Sequence, residues 1–256
     1  MVIPWVAARR WSITKYRERC QPSTRTMVYG ILARLFVESC FGCGEAAAGG
    51  SCAVCAAELV RIPRACRRCG LAQPVARCPR TELRWEVDAV VAPYSYEPPL
   101  DHYLHALKYR GARHLGRALA LTLKPMVDGA RGRIDALVPV PLHRTRLLER
   151  GYNQAQEIAA PLARALGVPV LQRAIARRAA VEPQTGQGAS RRRAGVAGVF
   201  RVERSLTGLR IGIVDDVVTT GATVNALAAE LRAAGAVSCV VLAVARTGEP
   251  AQARNV

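Results

Sequence analysis

The run Ile211-Gly-Ile-Val-Asp215-Asp216-Val217-Val218-Thr219-Thr220-Gly221-Ala222-Thr223 limits the possible folds more than any other stretch of this chain. Residues 209–214 form a short continuous apolar run, the mark of a strand covered on both faces. An acidic, Thr- and Gly-rich turn follows, then a helix over about 222–234 that Gly235 ends. Such a unit belongs in a parallel α/β sheet, where ligands bind at the carboxyl ends of the strands. The helix N-terminus offers unpaired N–H groups and a positive dipole end, both suited to phosphate. Thr219, Thr220 and Thr223 add hydroxyls, and Gly221 lets the backbone come close. Asp215 and Asp216 would repel a bare anion. They suit a ligand that also presents hydroxyls or arrives with a divalent cation. A ribose 5-phosphate meets both halves: hydroxyls on the acids, phosphate on Val217–Thr223.

The remaining pattern extends this unit into a sheet. Strands are expected over 87–96, 134–142 and 237–245, and helices over 98–109 and 114–128. Residues 143–152 read as a polar turn. A helix starts near Asn153, where Asn153 and Gln156 have capping-box spacing, and Pro161 should kink it. Residues 178–198 read as a mobile loop. Strands alternating with helices imply a mostly parallel sheet flanked by helices.

Nine cysteines would suit a disulfide scaffold, but seven fall between Cys40 and Cys78, mostly as C-x-x-C pairs. That clustering favours metal in a reducing compartment, and cytoplasm is the simplest expectation. Cys40, Cys43, Cys52 and Cys55 can close one structural Zn²⁺ tetrahedron. Cys66, Cys69 and Cys78 supply most of a second site, with Thr81 standing where an eighth cysteine would complete it. Redox chemistry is the alternative for the pairs, and Cys239 reads as a core residue of the last strand. The expected organisation is a disordered leader and short helix over 1–36, a zinc ribbon over 37–86, and the α/β domain over 87–248. Met27 is an alternative start.

The formal charge is +18, and only three of the 37 basic residues are Lys. Arginine suits phosphate-bearing partners, although arginine-rich codon usage gives the same count. No apolar run reaches the length of a membrane span.

The 211–223 run resembles the phosphoribosyl pyrophosphate (PRPP) motif of type I phosphoribosyltransferases: four apolar residues, two acids, then T-T-G-x-T. A second resemblance is to the ComF family of competence-associated, phosphoribosyltransferase-like proteins with an N-terminal double zinc ribbon. Its blocks are Leu107-Lys108-Tyr109-Arg110-Gly111, Val138-Pro-Val-Pro-Leu-His143 with Arg144 and Arg146, and Arg150-Gly-Tyr-Asn153-Gln154. Glu182-Pro-Gln184-Thr185-Gly186, Arg192, Arg193 and Phe200 complete it, so the likeness runs from about Cys40 to Thr247. The chain departs from the family at Gly195, where an Asn is usual, and at Arg191, where an acid is usual.

The resemblance implies PRPP- and Mg²⁺-dependent chemistry in which Asp215 and Asp216 hold the ribose. Arg144, Arg146 or Arg150 would neutralise the departing pyrophosphate. Lys108 is either a further anion contact or an ordinary helix C-terminal charge. The family also implies a role in uptake of transforming DNA, with single-stranded DNA and the competence machinery as partners. Two non-catalytic readings stand beside the enzyme: a single-stranded DNA-handling protein and a PRPP-sensing regulator.

Overall fold

The computed structural model describes residues 40–45, 47, 50–72, 77–81, 84–129, 132–172, 175–177 and 199–248. The expected leader over 1–36 and the loop over 178–198, with Arg191, Arg192, Arg193 and Gly195, lie outside the described residues. The chain divides into two compact units, Met1–Glu58 and Leu59–Val256.

In the first unit the described residues surround four cysteines. Cys40-Phe-Gly-Cys43 folds into a tight turn: Cys40 N donates to Glu45 O (2.6 Å) and Gly44 N to Cys40 O (2.9 Å), with Gly44 at φ 77°. Helix α1 (Ala53–Ala57) starts at Cys52, whose side chain accepts from Cys55 N. Cys40, Cys43, Cys55 and Ala47 form the buried hydrophobic cluster here, so thiols stand where larger units have aliphatic side chains.

The second unit is built on a parallel sheet. Its strands are β1 (Ala89–Val91), β2 (Tyr94–Ser95), β3 (Ala136–Pro139), β6 (Arg210–Val218) and β7 (Ser238–Arg246). The order is β1–β7–β6–β3, with β2 pairing further along β7. The single strand expected over 87–96 is broken at Ala92-Pro93, where proline has no N–H for the ladder and its carbonyl accepts from Ile62 N. A separate antiparallel pair, β4 (Ile175–Arg177) and β5 (Phe200–Val202), flanks the 178–198 segment.

The 209–214 strand was expected to end before the acids. Instead β6 continues to Val218, because β7 keeps pace beside it: Asp215 pairs with Ala243, Val217 with Ala245 and Val218 with Arg246. The two acids therefore sit near the end of a strand, Asp216 buried and Asp215 half-buried.

Helices α2 (Leu100–Tyr109), α3 (His114–Asp128), α5 (Gln154–Leu166) and α6 (Ala222–Ala233) cover the sheet. Val224, Leu227, Ala228 and Leu231 of α6 pack with Ile211, Ile213, Val241 and Ala243 on one face. Helices α3 and α5 pack against each other and touch β7, β3 and β6. They meet closely at Gly116, where a Cβ would lie 2.5 Å from Glu157 Cβ and 3.0 Å from its carbonyl oxygen. That carbonyl is the one Pro161 cannot donate to, and the helix runs on through Pro161.

The polar turn expected over 143–152 is mostly a seven-residue helix, α4 (Arg144–Arg150). His143 caps its start by accepting from Thr145 N, and Gly151 at φ 74° ends it. None of its residues is buried, so no apolar period announces it in the sequence.

Candidate functional site

The acids are the centre of the site. Asp216 is 3 % exposed and carries an ion pair to Lys108 Nζ at the end of α2. Its other oxygen faces Gln154 Nε2 at 3.4 Å. Gln154 Oε1 in turn accepts from Arg150 Nη1 (2.8 Å), and the Arg150 guanidinium lies 4.8 Å from the centre of the Tyr109 ring. Lys108 is therefore not an ordinary helix-end charge. Burial pulls its pKa down, but the Asp216 carboxylate, with Tyr96 and Asp215 beyond it, outweighs burial and the pKa moves up.

The flanking contacts explain why these residues converge. Tyr152 donates its hydroxyl to Leu107 O, tying the start of α5 to α2 one residue before Lys108. Asn153 plays two parts: its Oδ1 caps α5 by accepting from Ala155 N (2.9 Å), and its Nδ2 donates to Val140 O (2.9 Å) just beyond β3. The cap thus bonds the second N–H of the helix rather than the third. The reciprocal half of the expected capping box, at Gln156, is not the feature that anchors this turn.

Asp215 is half-buried, and its Oδ1 accepts from the Asp216 N–H (2.9 Å). Burial first, and the neighbouring negative charge of Asp216 second, push its pKa well above the usual carboxylate range. Arg177 on β4 is a partner the sequence reading missed. Burial lowers its pKa, the like charge of Arg146 lowers it further, and Asp215 opposes both. Those influences put Arg146, Arg177 and Asp215 in one neighbourhood. Arg177 sits in the arginine-rich run Arg173-Ala-Ile-Ala-Arg177-Arg178, where nothing local marks it out. Arg144 and Arg146 are exposed on α4, and Arg150 is half-buried against Gln154.

Beyond the acids, β6 passes into the loop and α6. Thr219 and Thr220 are exposed, and Thr220 Oγ1 accepts from Ala222 N (3.3 Å). The N–H groups of Thr223 and Val224, in the first turn of α6, have no partner within that helix by position. Gly221 has φ 88°, and any Cβ there would lie 2.5 Å from the Trp85 ring. Glycine is required twice over, by backbone angle and by space.

Each cysteine cluster is a compact thiol set. The sulfurs of Cys40, Cys43, Cys52 and Cys55 all lie within 4.8 Å of one another, as do those of Cys66, Cys69 and Cys78. Backbone N–H groups already point at the sulfurs, from Cys52 to Cys40 Sγ (3.2 Å) and from Gly42 to the same atom (3.4 Å). Burial raises the Cys66 pKa, but N–H groups of Cys69 and Arg68 donate to its sulfur and the net move is downward. Grouped thiols supported by backbone donors are compatible with structural zinc.

Residues 151–255 match the phosphoribosyl transferase domain. The "DNA utilization protein YhgH" of Salmonella typhi is 35 % identical over 208 residues, covering 77 % of this chain and 91 % of its own. The chain belongs to the ComF family. The "Competence protein F" of Haemophilus influenzae is 30 % identical over 220 residues, 81 % of this chain and 95 % of that one. Two of the ComF blocks, Leu107–Gly111 and Arg150–Gln154, contribute Lys108, Arg150 and Gln154 to one constellation around Asp216, and Val140 of a third anchors Asn153. A solved purine phosphoribosyltransferase from Pyrococcus horikoshii Ot3 aligns with 50 % of this chain and 70 % of its own, at 20 % identity and a TM-score of 0.33. Among the described residues no helix is long and apolar enough to cross a membrane.

Proposed function

We propose that the carboxyl edge of the β6–β3 sheet binds PRPP or a related ribosyl phosphate. The observation that carries this reading is a buried carboxylate, Asp216, held by Lys108 and Gln154 immediately ahead of a Thr/Gly loop that opens α6. Asp215 and Asp216 accept the ribose hydroxyls, and Val217, Val218, Thr219, Thr220, Gly221, Ala222 and Thr223 enclose the 5-phosphate. Arg146 and Arg177, with Arg144 and Arg150 beside them, face the pyrophosphate. Two adjacent carboxylates offer the hard oxygen donors that Mg²⁺ takes, and the ion would neutralise part of the pyrophosphate charge. In a transferase, the bond from the anomeric carbon to pyrophosphate breaks as a bond to an acceptor nucleophile forms. Positive charge on the sugar then develops beside the two acids.

Calorimetry with PRPP and Mg²⁺ tests the binding. The wild-type chain gives saturable heat, and D215N/D216N weakens it by more than about tenfold, the scale of losing charge-assisted contacts. No heat with PRPP or ribose 5-phosphate would defeat the reading. Pyrophosphate release across a panel of bases then separates a transferase from a sensor.

The names of the relatives support a role in DNA utilisation or competence, and the clustered C-x-x-C cysteines support a cytoplasmic setting. Tyr109, 64 % exposed on the end of α2 and with the Arg150 guanidinium 4.8 Å from its ring centre, supports contact with single-stranded DNA. Bases stack on such a platform. Y109A should weaken single-strand affinity, and R191A/R192A/R193A should flatten its salt dependence.

A further inference from the structure

Two routes join the Cys66, Cys69 and Cys78 cluster to the loop after β6. The first is Arg246, at the end of β7 and 1 % exposed. Its Nε donates to Cys69 O (2.8 Å), while Nη1 donates to Val218 O (3.0 Å) and to Thr219 O. The second leaves from the other side of the cluster. Just past Cys78, Arg80 Nη2 donates to Thr220 O (3.5 Å), and Arg80 O accepts from Trp85 Nε1 (3.3 Å). The Trp85 ring closes over Gly221. Asn225 then latches this strand of chain to α6, accepting from Glu86 N (2.6 Å) and donating to Arg84 O (2.9 Å). The two routes end on consecutive residues, Val218 to Gly221, on either side of a cleft of about 300 Å³ lined by Leu71, Arg80, Thr219, Thr220, Arg246 and Thr247.

A buried guanidinium stays in place only while its carbonyl acceptors do. Cys69 O is set by the knuckle turn, in which Cys66 N donates to Leu71 O and Gly70 N to Cys66 O (both 2.7 Å). That turn is short, and three sulfurs crowd within 4.8 Å of one another. A thiophilic divalent ion that gathers them fixes the turn, and the free energy of its binding is shared with whatever the turn holds.

We infer that the Cys66, Cys69 and Cys78 cluster is a metal-dependent brace for the phosphate loop. Zn²⁺ bound there sets Thr219 to Gly221 in their binding conformation, and ribosyl-phosphate affinity depends on its presence. The affinity half of this statement rests on the proposed function; the loop half does not.

The test uses the full chain loaded with zinc, C78S, and C52S as a control in the other cluster. Zinc content, amide hydrogen exchange of the 217–224 segment, and the Kd for PRPP with Mg²⁺ are measured on each. C78S loses one metal, exchanges faster at 217–224, and binds PRPP about tenfold more weakly, as when only one loop in ten is competent. C52S also loses one metal but keeps wild-type exchange and Kd. Should C78S fail to fold, wild-type protein stripped by a chelator and reloaded with Zn²⁺ replaces it, and the loop change must reverse on reloading. N225A keeps every cysteine, and its loop exchange must lie between that of wild type and C78S. Unchanged exchange at 217–224 after loss of the second metal overturns the brace, as does an equal effect from C52S. Metal-sensitive exchange without PRPP binding sinks the ribosyl-phosphate reading and leaves the brace standing.

Discussion

Cys40-Phe-Gly-Cys43-Gly44 and Cys66-Arg-Arg-Cys69-Gly70 fold into the same turn twice. In each the first cysteine's N–H donates to the carbonyl five residues on, and the glycine N–H donates back to the first cysteine's carbonyl. The glycines have φ 77° and 75°. Their surroundings differ. A Cβ at Gly44 would meet nothing within 4 Å, whereas one at Gly70 would lie 2.9 Å from Val90 Cγ1 and 3.5 Å from Arg246 Cδ. Cys66 and Cys69 join the core of the sheet unit, with Trp85, Val90 and Cys239; Cys40, Cys43 and Cys55 pack with one another and Ala47. One turn is the core of its own small unit, and the other is a component of a larger one. A local motif therefore carries its geometry with it, but its energetic meaning comes from what it touches.

That contrast is open to direct attack. The largest effect is expected from C69S, which puts an unmatched hydroxyl into a fully buried site and breaks the metal set. The sheet unit should lose more than about 3 kcal/mol, read by denaturation through Trp85 fluorescence in a W5F/W11F background. C43S should leave that same transition within about 0.5 kcal/mol. Equal losses would erase the distinction between the two knuckles.

The glycines give a finer measure. G70A combines backbone strain with a clash and should cost about 2–4 kcal/mol in the same transition. G44A carries strain alone, about 1 kcal/mol, and its readout is the zinc affinity of the first cluster in a chelator competition. A G70A variant as mild as G44A would show that Val90 and Arg246 yield easily.

Acid supplies the smallest and most specific comparison. Asp135 lies beside Arg210 at the amino end of β6, with Oδ1 to Nη2 at 2.7 Å and Oδ2 to Nε at 2.9 Å. The guanidinium hydrogen bonds hold its pKa down, from 3.8 to about 2. A depressed carboxylate stabilises fully above its unfolded pKa, and that contribution disappears as pH falls from 3.8 towards 2. D135N should flatten the stability profile of the sheet unit across that window. Any acid loss that remains in D135N then belongs to other groups.

The sequence made the central unit legible because its signals are local. Ile211–Val214, the acids and the Thr219–Thr223 turn combine a buried strand, a loop that needs glycine, and a helix start. All appear where they were expected apart from the longer strand. Asn153 was legible as a cap because capping is a matter of two or three residues. Helix α4 was not, since its seven residues bury nothing and leave no period to read. Arg177 was hidden for another reason: its meaning depends on Arg146 and Asp215, which are distant in the chain. Lys108 had two readings, and its ion pair with Asp216 is a partner that neither of them named.

The chain's own order of residues dictated the strand–loop–helix unit, the two cysteine turns and the glycines they need, because each is decided by interactions within a few residues. Tertiary structure alone decided that Lys108, Gln154 and Arg150 meet at Asp216, and that the second cysteine turn lies against Arg246 instead of standing apart. Those outcomes depend on which buried surfaces meet across the sheet, and packing over long separations has no signature in any short window of sequence.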